Sequence, residues 1–407
     1  RYHSGAPRRA TKEEEDSLEE EDERRRTGIQ RRPPIAAMAT SLARSALLLS
    51  LVSLLVLAAE GARIRRTSRK EASVGLDVGA DVGAETSLGK HHRAPAFNNG
   101  TDEGDLTFKY FEALDIYYFA TAAYCTADNI DKWDSGRKAI VHPDVKDVLA
   151  YNTTVPLLWN IEHAPVLFFI LYYPSNDSIV LSFQGTQGDS VGDWVDDFMY
   201  AMTKPPLEWG WPSGEEVDVD IRIEDGFTYA WNELRDVAYN QTVHMMRKYP
   251  SAKFYVTGHS LGGALASLAA ADLAMNGIDI YKVIIFGTPR AGNLGWAFFY
   301  NDLLGLKNST FRVVNERDPV PHIPFTGVTF MRGYHHVGIE VWLNGFDFVQ
   351  CNNVLPFEEC KFSTTCFYNE DQSCSLSQTI CLTPSCIEMH VGYYETVSDD
   401  KFCVQGC

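Results

Sequence analysis

The residue best placed for chemistry is Ser260, which lies where a buried apolar stretch gives way to small residues and leucines. Residues 258–263 read GHSLGG, the stretch 252–257 predicts a strand, and 264–275 predicts a helix. A tight turn from strand to helix projects a serine hydroxyl above a sheet, an arrangement known as a nucleophile elbow. Glycines flank such a serine because larger side chains would collide with the neighbouring strand and helix. The pattern indicates a serine nucleophile.

A serine hydroxyl is a weak nucleophile unless a histidine takes its proton and a carboxylate orients that histidine. Asp318 is the best carboxylate, because it comes just after a predicted strand, where loops at the carboxyl end of a sheet carry function. A turn-forming aspartate before proline is the structural alternative. The histidines after Asp318 are His322, His335, His336 and His390. We favour His390 as the base, since it follows a long loop and precedes a helix-like tail, and we interpret the other three as structural polar residues.

Strand-like and helix-like patterns alternate around these residues. Apolar runs predict strands at 166–172, 178–183, 281–286 and 311–314, and helical spacing of apolar residues occurs at 108–125 and 227–238. Strands that alternate with helices predict an α/β fold, in which a mostly parallel central sheet is flanked by helices on both faces.

The composition divides the chain into four parts. Residues 1–37 mix acidic and basic runs without apolar periodicity, so we predict that they are disordered or lie upstream of the true start. Residues 38–62 are predicted to be a secretory signal peptide, because their apolar run is too short to span a bilayer and small residues follow it. A core helix is the alternative. Residues 63–104 read as a pro-segment or linker, and 105–407 as the globular domain.

Cysteines and glycosylation sequons favour a secreted or luminal protein. Eight of the nine cysteines come late in the chain, at Cys351, Cys360, Cys366, Cys374, Cys381, Cys386, Cys403 and Cys407. Asn-x-Ser/Thr sequons occur at Asn99, Asn152, Asn176, Asn240 and Asn308. Both features suit disulfides and glycans in an oxidising compartment. The cysteine spacings fit no zinc pattern, so we expect no metal and no cofactor.

The net charge is −18, and it lies wholly after residue 37. An acidic body without a cluster of basic residues argues against nucleic acid and against charge-driven binding to anionic membranes. No obligate protein partner is evident from the sequence.

Taken together, the chain resembles the class 3, or fungal-type, triacylglycerol lipases, which have the α/β-hydrolase fold. The matching segments follow family order between 108 and 403, and they are 182–186, 193–198, 258–263, 287–293, 315–322 and 389–390. The resemblance implies a triad of Ser260, Asp318 and His390. It also implies an oxyanion hole made by the backbone N–H groups of Thr186 and Leu261, with the Thr186 hydroxyl assisting. Such donors stabilise the negative oxygen that forms during acyl transfer.

The resemblance carries three further expectations. A lid should lie near 190–198, with Trp194 and Phe198 on its apolar face, and Gln184 stands where the family usually has an arginine that helps to hold the lid open. Disulfides are expected between Cys125 and Cys403 and between Cys351 and Cys360. The cysteine-rich stretch 360–386 replaces the short loop usual in the family.

The sequence therefore predicts a secreted serine esterase or lipase. It would hydrolyse acylglycerol esters by way of an acyl-enzyme. The reaction would take place at a lipid–water interface, which the protein would contact through its lid. Phospholipase A1 or feruloyl esterase activity on the same fold is the first alternative. A lipase-like binding protein without catalysis is the second, although such a protein would need no ordered serine, aspartate and histidine.

Overall fold

The computed structural model describes most of the predicted globular domain. The described residues are 108–134, 139, 141–156, 163–186, 201–211, 220–304, 310–324, 333–344, 347–351, 370–378, 381 and 383–394. All of them belong to the unit Asn98–Cys407. The predicted parts before residue 105 and the lid residues Trp194 and Phe198 lie outside them. Within the described residues, no helix is both long and apolar enough to cross a membrane.

An eight-stranded sheet forms the centre of the domain, with its strands in the order β1-β2-β3-β6-β7-β9-β11-β12. These strands are β1 Lys146–Pro156, β2 His163–Tyr173, β3 Ser178–Phe183, β6 Lys253–His259, β7 Lys282–Phe286, β9 Thr310–Asn315, β11 Ile339–Asn344 and β12 Asp347–Cys351. Neighbouring strands from β3 to β11 are parallel, and antiparallel pairs add β1 and β2 at one edge and β12 at the other. The predicted mostly parallel sheet is therefore confirmed.

A second sheet has four strands in the order β10-β8-β5-β4. Its short strands are β4 Met202–Thr203, β5 Ile223–Glu224, β8 Gly292–Asn293 and β10 Tyr334–His335. The two adjacent histidines, His335 and His336, do not open the strand that follows them. Instead, His335 belongs to β10 of the small sheet, and β11 begins only at Ile339. Gly338, with φ of 68°, separates the two strands.

Helices cover both faces of the central sheet. They are α1 Tyr110–Ala122, α2 Ala127–Asp131, α3 Asp225–Lys248, α4 Leu261–Met275, α5 Leu294–Leu304 and α6 Pro384–Val391. The apolar residues of α3, α4 and α5 pack in one core cluster, and those of α1 pack in a second cluster with Phe286 and Phe311. Every residue of β3 and of β7 is buried, which is what strands between two helical layers require.

The expected Cys351–Cys360 disulfide is wrong, because Cys351 pairs with Cys374. Cys351 ends β12 opposite Glu340, and the backbone N–H of Ser375 donates to the Glu340 carboxylate over 3.1 Å. This contact holds the segment of Cys374 against β12, with the two cysteine Cα atoms 6.2 Å apart. Within the described residues, Glu340 and these two sulfurs are the group that could surround a metal ion. Because both sulfurs are in the disulfide, a single carboxylate remains.

A second described disulfide joins Cys381 to Cys386, at the start of α6. Cys125, just after α1, is also disulfide-bonded. Its expected partner, Cys403, lies outside the described residues, so that pairing stays a prediction.

Candidate active site

Ser260 occupies a strained turn between β6 and α4. Its φ is 59° and its ψ is −132°, a region that residues other than glycine rarely adopt. A Cβ atom at Gly258 would lie 2.2 Å from the carbonyl oxygen of Gly262, and one at Gly262 would lie 2.2 Å from that of Phe183. The steric reason for the flanking glycines is therefore confirmed. The strain persists because β6 and α4 on either side hold the turn.

Asp318 lies in the loop after β9 and is fully buried. Its carboxylate accepts hydrogen bonds from the Val320 N–H over 2.9 Å, the Tyr393 hydroxyl over 2.5 Å and the His390 Nδ1 over 2.9 Å. Burial alone would raise the pKa of Asp318, but the neighbouring His390 and these hydrogen bonds outweigh burial and hold that pKa below its usual value. The carboxylate is therefore kept ionised beside the histidine.

His390 lies on the last turn of α6, rather than ahead of a helical tail as the sequence suggested. Its Nδ1 is 2.9 and 3.0 Å from the two carboxylate oxygens of Asp318. Because an ionised carboxylate can only accept, Nδ1 must carry the proton, and the neutral ring then keeps its lone pair on Nε2. The Asn315 side chain donates to the Met389 carbonyl over 2.9 Å and ties this turn of α6 to the end of β9.

The ends of β6 and β7 bring Ser260 close to this pair. The Ser260 N–H donates to the Phe286 carbonyl over 2.9 Å. A Cβ atom on the next residue, Gly287, would lie 2.9 Å from both the Asp318 carboxylate and the His390 ring. The Ser260 Oγ and the His390 Nε2 are both buried, and neither has a hydrogen-bond partner within the described residues. The two atoms that a serine–histidine couple would use are thus free at the same end of the sheet.

His259 and Tyr124 support the site and were missed by the sequence analysis. The Tyr124 hydroxyl is 2.8 Å from the His259 Nδ1, and the His259 Nε2 is 2.8 Å from the His390 carbonyl oxygen. Burial and, to a lesser extent, the nearby His390 lower the pKa of His259 to about 3. A neutral His259 therefore donates from Nε2 to His390 and accepts from Tyr124. Tyr393, three residues beyond His390, was also missed.

Thr186 and Leu261, the expected oxyanion donors, follow two strand ends next to Ser260. Leu261 is the first residue of α4, so its N–H has no acceptor within the helix. Thr186 follows Gly185, where a Cβ atom would lie 3.1 Å from the Cβ of Ser260. Gln184, the departure from the family pattern, is buried and donates from Nε2 to the Ala123 carbonyl over 2.9 Å. It ties the end of β3 to the end of α1.

The other three histidines surround the loop after Asp318. His336 lies 2.7 Å, through Nε2, from the Pro321 carbonyl oxygen. Burial lowers the pKa values of all three, to about 4 for His335. Within the described residues, the histidine bonded to Asp318 is His390.

Comparison with known proteins gives a consistent result. Residues 180–328 match the family described as lipase (class 3). A secreted mono- and diacylglycerol lipase A of Penicillium cyclopium is 32% identical over 169 residues, which are 42% of this chain and 49% of that protein. A lipase of Rhizomucor miehei is 31% identical over 201 residues, which are 47% of this chain and 50% of that protein. The chain thus spans about half the length of these relatives.

The fold agrees with solved lipase structures. The crystal structure of a lipase from Rhizopus microsporus var. chinensis superimposes with a TM-score of 0.52 and 25% identity, covering 70% of this chain and 86% of that one. On the family match over residues 180–328 and on its architecture, the described domain of this chain is similar to the class 3 lipases.

Proposed function

We propose that this chain is a carboxylic ester hydrolase with Ser260 as nucleophile, His390 as general base and Asp318 as the orienting carboxylate. The observation that carries the proposal is the bond from His390 Nδ1 to Asp318, 2.9 Å long, at a site where the Ser260 Oγ and the His390 Nε2 have no other partner within the described residues. Such an arrangement leaves one proton acceptor and one hydroxyl available for each other.

The reaction proceeds in two steps. In the first, Ser260 Oγ attacks the ester carbonyl carbon while His390 Nε2 takes the hydroxyl proton, and the protonated histidine then passes that proton to the leaving alcohol. This step forms an acyl-enzyme on Ser260. In the second, His390 takes a proton from water, water attacks the acyl carbon, and the acid leaves as Ser260 recovers its proton. The buried charge of Asp318 stabilises the imidazolium in both steps.

The negative oxygen formed in each attack needs donors already in place. We propose the N–H groups of Leu261 and Thr186, with the Thr186 hydroxyl assisting. Leu261 contributes from the first position of a helix, whose aligned peptide dipoles favour negative charge there. Removal of one such donor typically costs about 3 kcal/mol of transition-state stabilisation.

Acylglycerols are the proposed substrate class. The secreted enzyme would bind them at a lipid–water interface. The support comes from the relatives, one of which is named a secreted mono- and diacylglycerol lipase. The disulfides Cys351–Cys374 and Cys381–Cys386 fit an oxidising compartment. The lid with Trp194 and Phe198 stays a prediction outside the described residues.

A substrate panel with matched acyl chains tests this function. Monoacyl-, diacyl- and triacylglycerols, a phosphatidylcholine and a feruloyl ester are each offered below and above their solubility, with Ser260→Ala as the blank. We expect turnover of acylglycerols that rises steeply above the solubility limit. Faster turnover of the phospholipid or the feruloyl ester would show that acylglycerols are not the preferred substrate class. Equal rates for wild type and Ser260→Ala would reject Ser260 as the nucleophile.

A further inference from the structure

A buried ion pair lies next to the Asp318 loop and takes no part in the proton transfers. Arg290, in the connection between β7 and β8, and Glu370, in the cysteine-rich segment, have side chains that are each 1% exposed. The guanidinium donates from Nε and from Nη2 to the two carboxylate oxygens over 2.7 and 2.5 Å. The nearby Arg290 overcomes the effect of burial and holds the pKa of Glu370 far below its usual value. The pair is therefore charged and bidentate.

The same arginine also holds the loop that carries Asp318. Its Nη1 donates to the carbonyl oxygens of His322 and Pro324 over 2.6 and 2.7 Å. Its backbone N–H donates to the Ile323 carbonyl over 2.9 Å. Arg290 thus donates hydrogen bonds to three consecutive backbone carbonyls, which lie four to six residues after Asp318.

Glu370 connects this arginine to the part of the chain that leads to His390. The segment 370–378 is bound to the central sheet by the Cys351–Cys374 disulfide and by the contact of Ser375 with Glu340. Helix α6, which ends in the turn with His390, begins six residues after that segment. Arg290 therefore joins the loop of the carboxylate to the segment that precedes the histidine.

We infer that Arg290, held by Glu370, is a positioning residue that sets the geometry between Asp318 and His390. The expected loss of kcat rests on the proposed function, whereas the expected change in the geometry between Asp318 and His390 does not. A displacement of about 1 Å in a catalytic group can cost on the order of a hundredfold in rate. Loss of the two side-chain contacts to the His322 and Pro324 carbonyls should thus lower kcat while leaving substrate binding at the elbow almost unchanged.

The test uses the full chain and the double variant Arg290→Met with Glu370→Leu, which removes both buried charges together. Removing one partner alone would leave an uncompensated buried charge, which would destabilise the whole fold and hide any effect on the geometry of the site. The control is Lys282→Met with Glu112→Leu, since that pair, 2.6 Å apart with Lys282 buried and Glu112 partly exposed, lies at the amino end of β7, away from Asp318. Each protein is assayed on a soluble short-chain ester, and the low-field proton resonance of the His390 Nδ1–H is recorded by NMR.

For the double variant we expect kcat to fall by about 10- to 100-fold with KM within about twofold, and the low-field resonance to weaken or vanish. The control should keep both kcat and the resonance. A folded double variant with wild-type kcat and resonance would overturn the inference, and so would an equal loss in the control, which would point to general destabilisation.

If the double variant fails to fold, Arg290→Lys decides the question. Lysine keeps the charge opposite Glu370, but one ammonium group cannot replace the planar fork and also reach both carbonyls. We expect kcat to fall at least about fivefold with an altered resonance, and unchanged values would overturn the inference. If wild type hydrolyses no ester, the proposed function fails, while the NMR comparison still tests the positioning role.

Discussion

His259 and His390 lie ring against ring, with their centroids 4.5 Å apart. The His259 Nε2 also donates to the backbone carbonyl of His390 over 2.8 Å, and Tyr124 donates to the opposite nitrogen. The residue just before the nucleophile thus supports the backbone of the base. Because the ring of His259 is buried and neutral, it does so without adding charge next to His390.

Replacement of His259 by phenylalanine should impair the site without removing a reacting group. Phenylalanine keeps an aromatic ring against His390 but takes the Nδ1 acceptor away from the Tyr124 hydroxyl and leaves the His390 carbonyl without its donor. Each unpaired buried group costs about 1–3 kcal/mol, so we expect a lower free energy of unfolding and a reduced kcat. Urea unfolding and ester hydrolysis measure the two effects. Tyr124→Phe, which removes a single donor, should have the smaller effect, and a larger one would contradict this assignment.

Tyr393→Phe should weaken the support of Asp318. The Tyr393 hydroxyl donates to the Asp318 carboxylate over 2.5 Å, and a hydrogen bond to a charged group contributes about 1.5–3 kcal/mol. The pKa of Asp318 is below its usual value in the folded protein, so its stabilisation is present at neutral pH and is lost as the pH falls through that pKa. The variant should thus lose stability and kcat at pH 8. Equal unfolding curves for both proteins at pH 8 would argue against a contribution from this bond.

His142 should make the fold sensitive to acid. It is packed against Phe119, with ring centroids 4.6 Å apart, and neither ring nitrogen has a partner within the described residues. Burial lowers the pKa of His142 to about 4, although Asp144 partly opposes this effect. The unfolded chain takes up this proton near pH 6.5, so stability is full above pH 6.5 and falls as the pH approaches 4.

The matched variant for this prediction is His142→Phe, which keeps a ring against Phe119 and removes the titration. Relative to wild type, it should gain about 2 kcal/mol of unfolding free energy between pH 8 and pH 5. Urea unfolding of both proteins at the two pH values measures the gain. The same difference at both values would show that His142 does not titrate in this range.

The Cys351–Cys374 disulfide should contribute more to stability than Cys381–Cys386. The first spans 23 residues and the second five, and chain-entropy models assign about 3 kcal/mol to the longer loop and less to the shorter. Paired cysteine-to-serine variants and thermal unfolding compare the two. Peptide mapping without reduction checks the connectivity, and a peptide that joins Cys351 to Cys360 would contradict the structure.

The elbow could be predicted from the sequence because its constraints are local. Strand, turn and helix are adjacent in the chain, and steric exclusion limits positions 258 and 262, two residues either side of Ser260, to glycine. The buried runs of β3 and β7 likewise follow from their own composition. Asp318 could be chosen because it follows a recognisable strand, and His390 because a long loop precedes it.

The supporting residues could not be predicted because their contacts are distant in sequence. Tyr124 and His259 are 135 positions apart, and nothing in either local sequence indicates that they meet. The partner of Cys351 depends on where β12 ends in space, which cysteine spacing does not encode. Glu370 meets Arg290 for the same reason, since 80 positions separate them.

Covalent labelling tests the central claim most directly. The protein is treated with diethyl p-nitrophenyl phosphate, an ester that traps an activated serine, and the modified residue is located by peptide mass spectrometry. We predict stoichiometric labelling of Ser260 with parallel loss of ester hydrolysis. Labelling should be slowed by several orders of magnitude in His390→Ala and absent at this position in Ser260→Ala. Hydrolysis that continues in the fully labelled protein, or a label on another residue that accounts for the lost activity, would contradict Ser260 as the nucleophile.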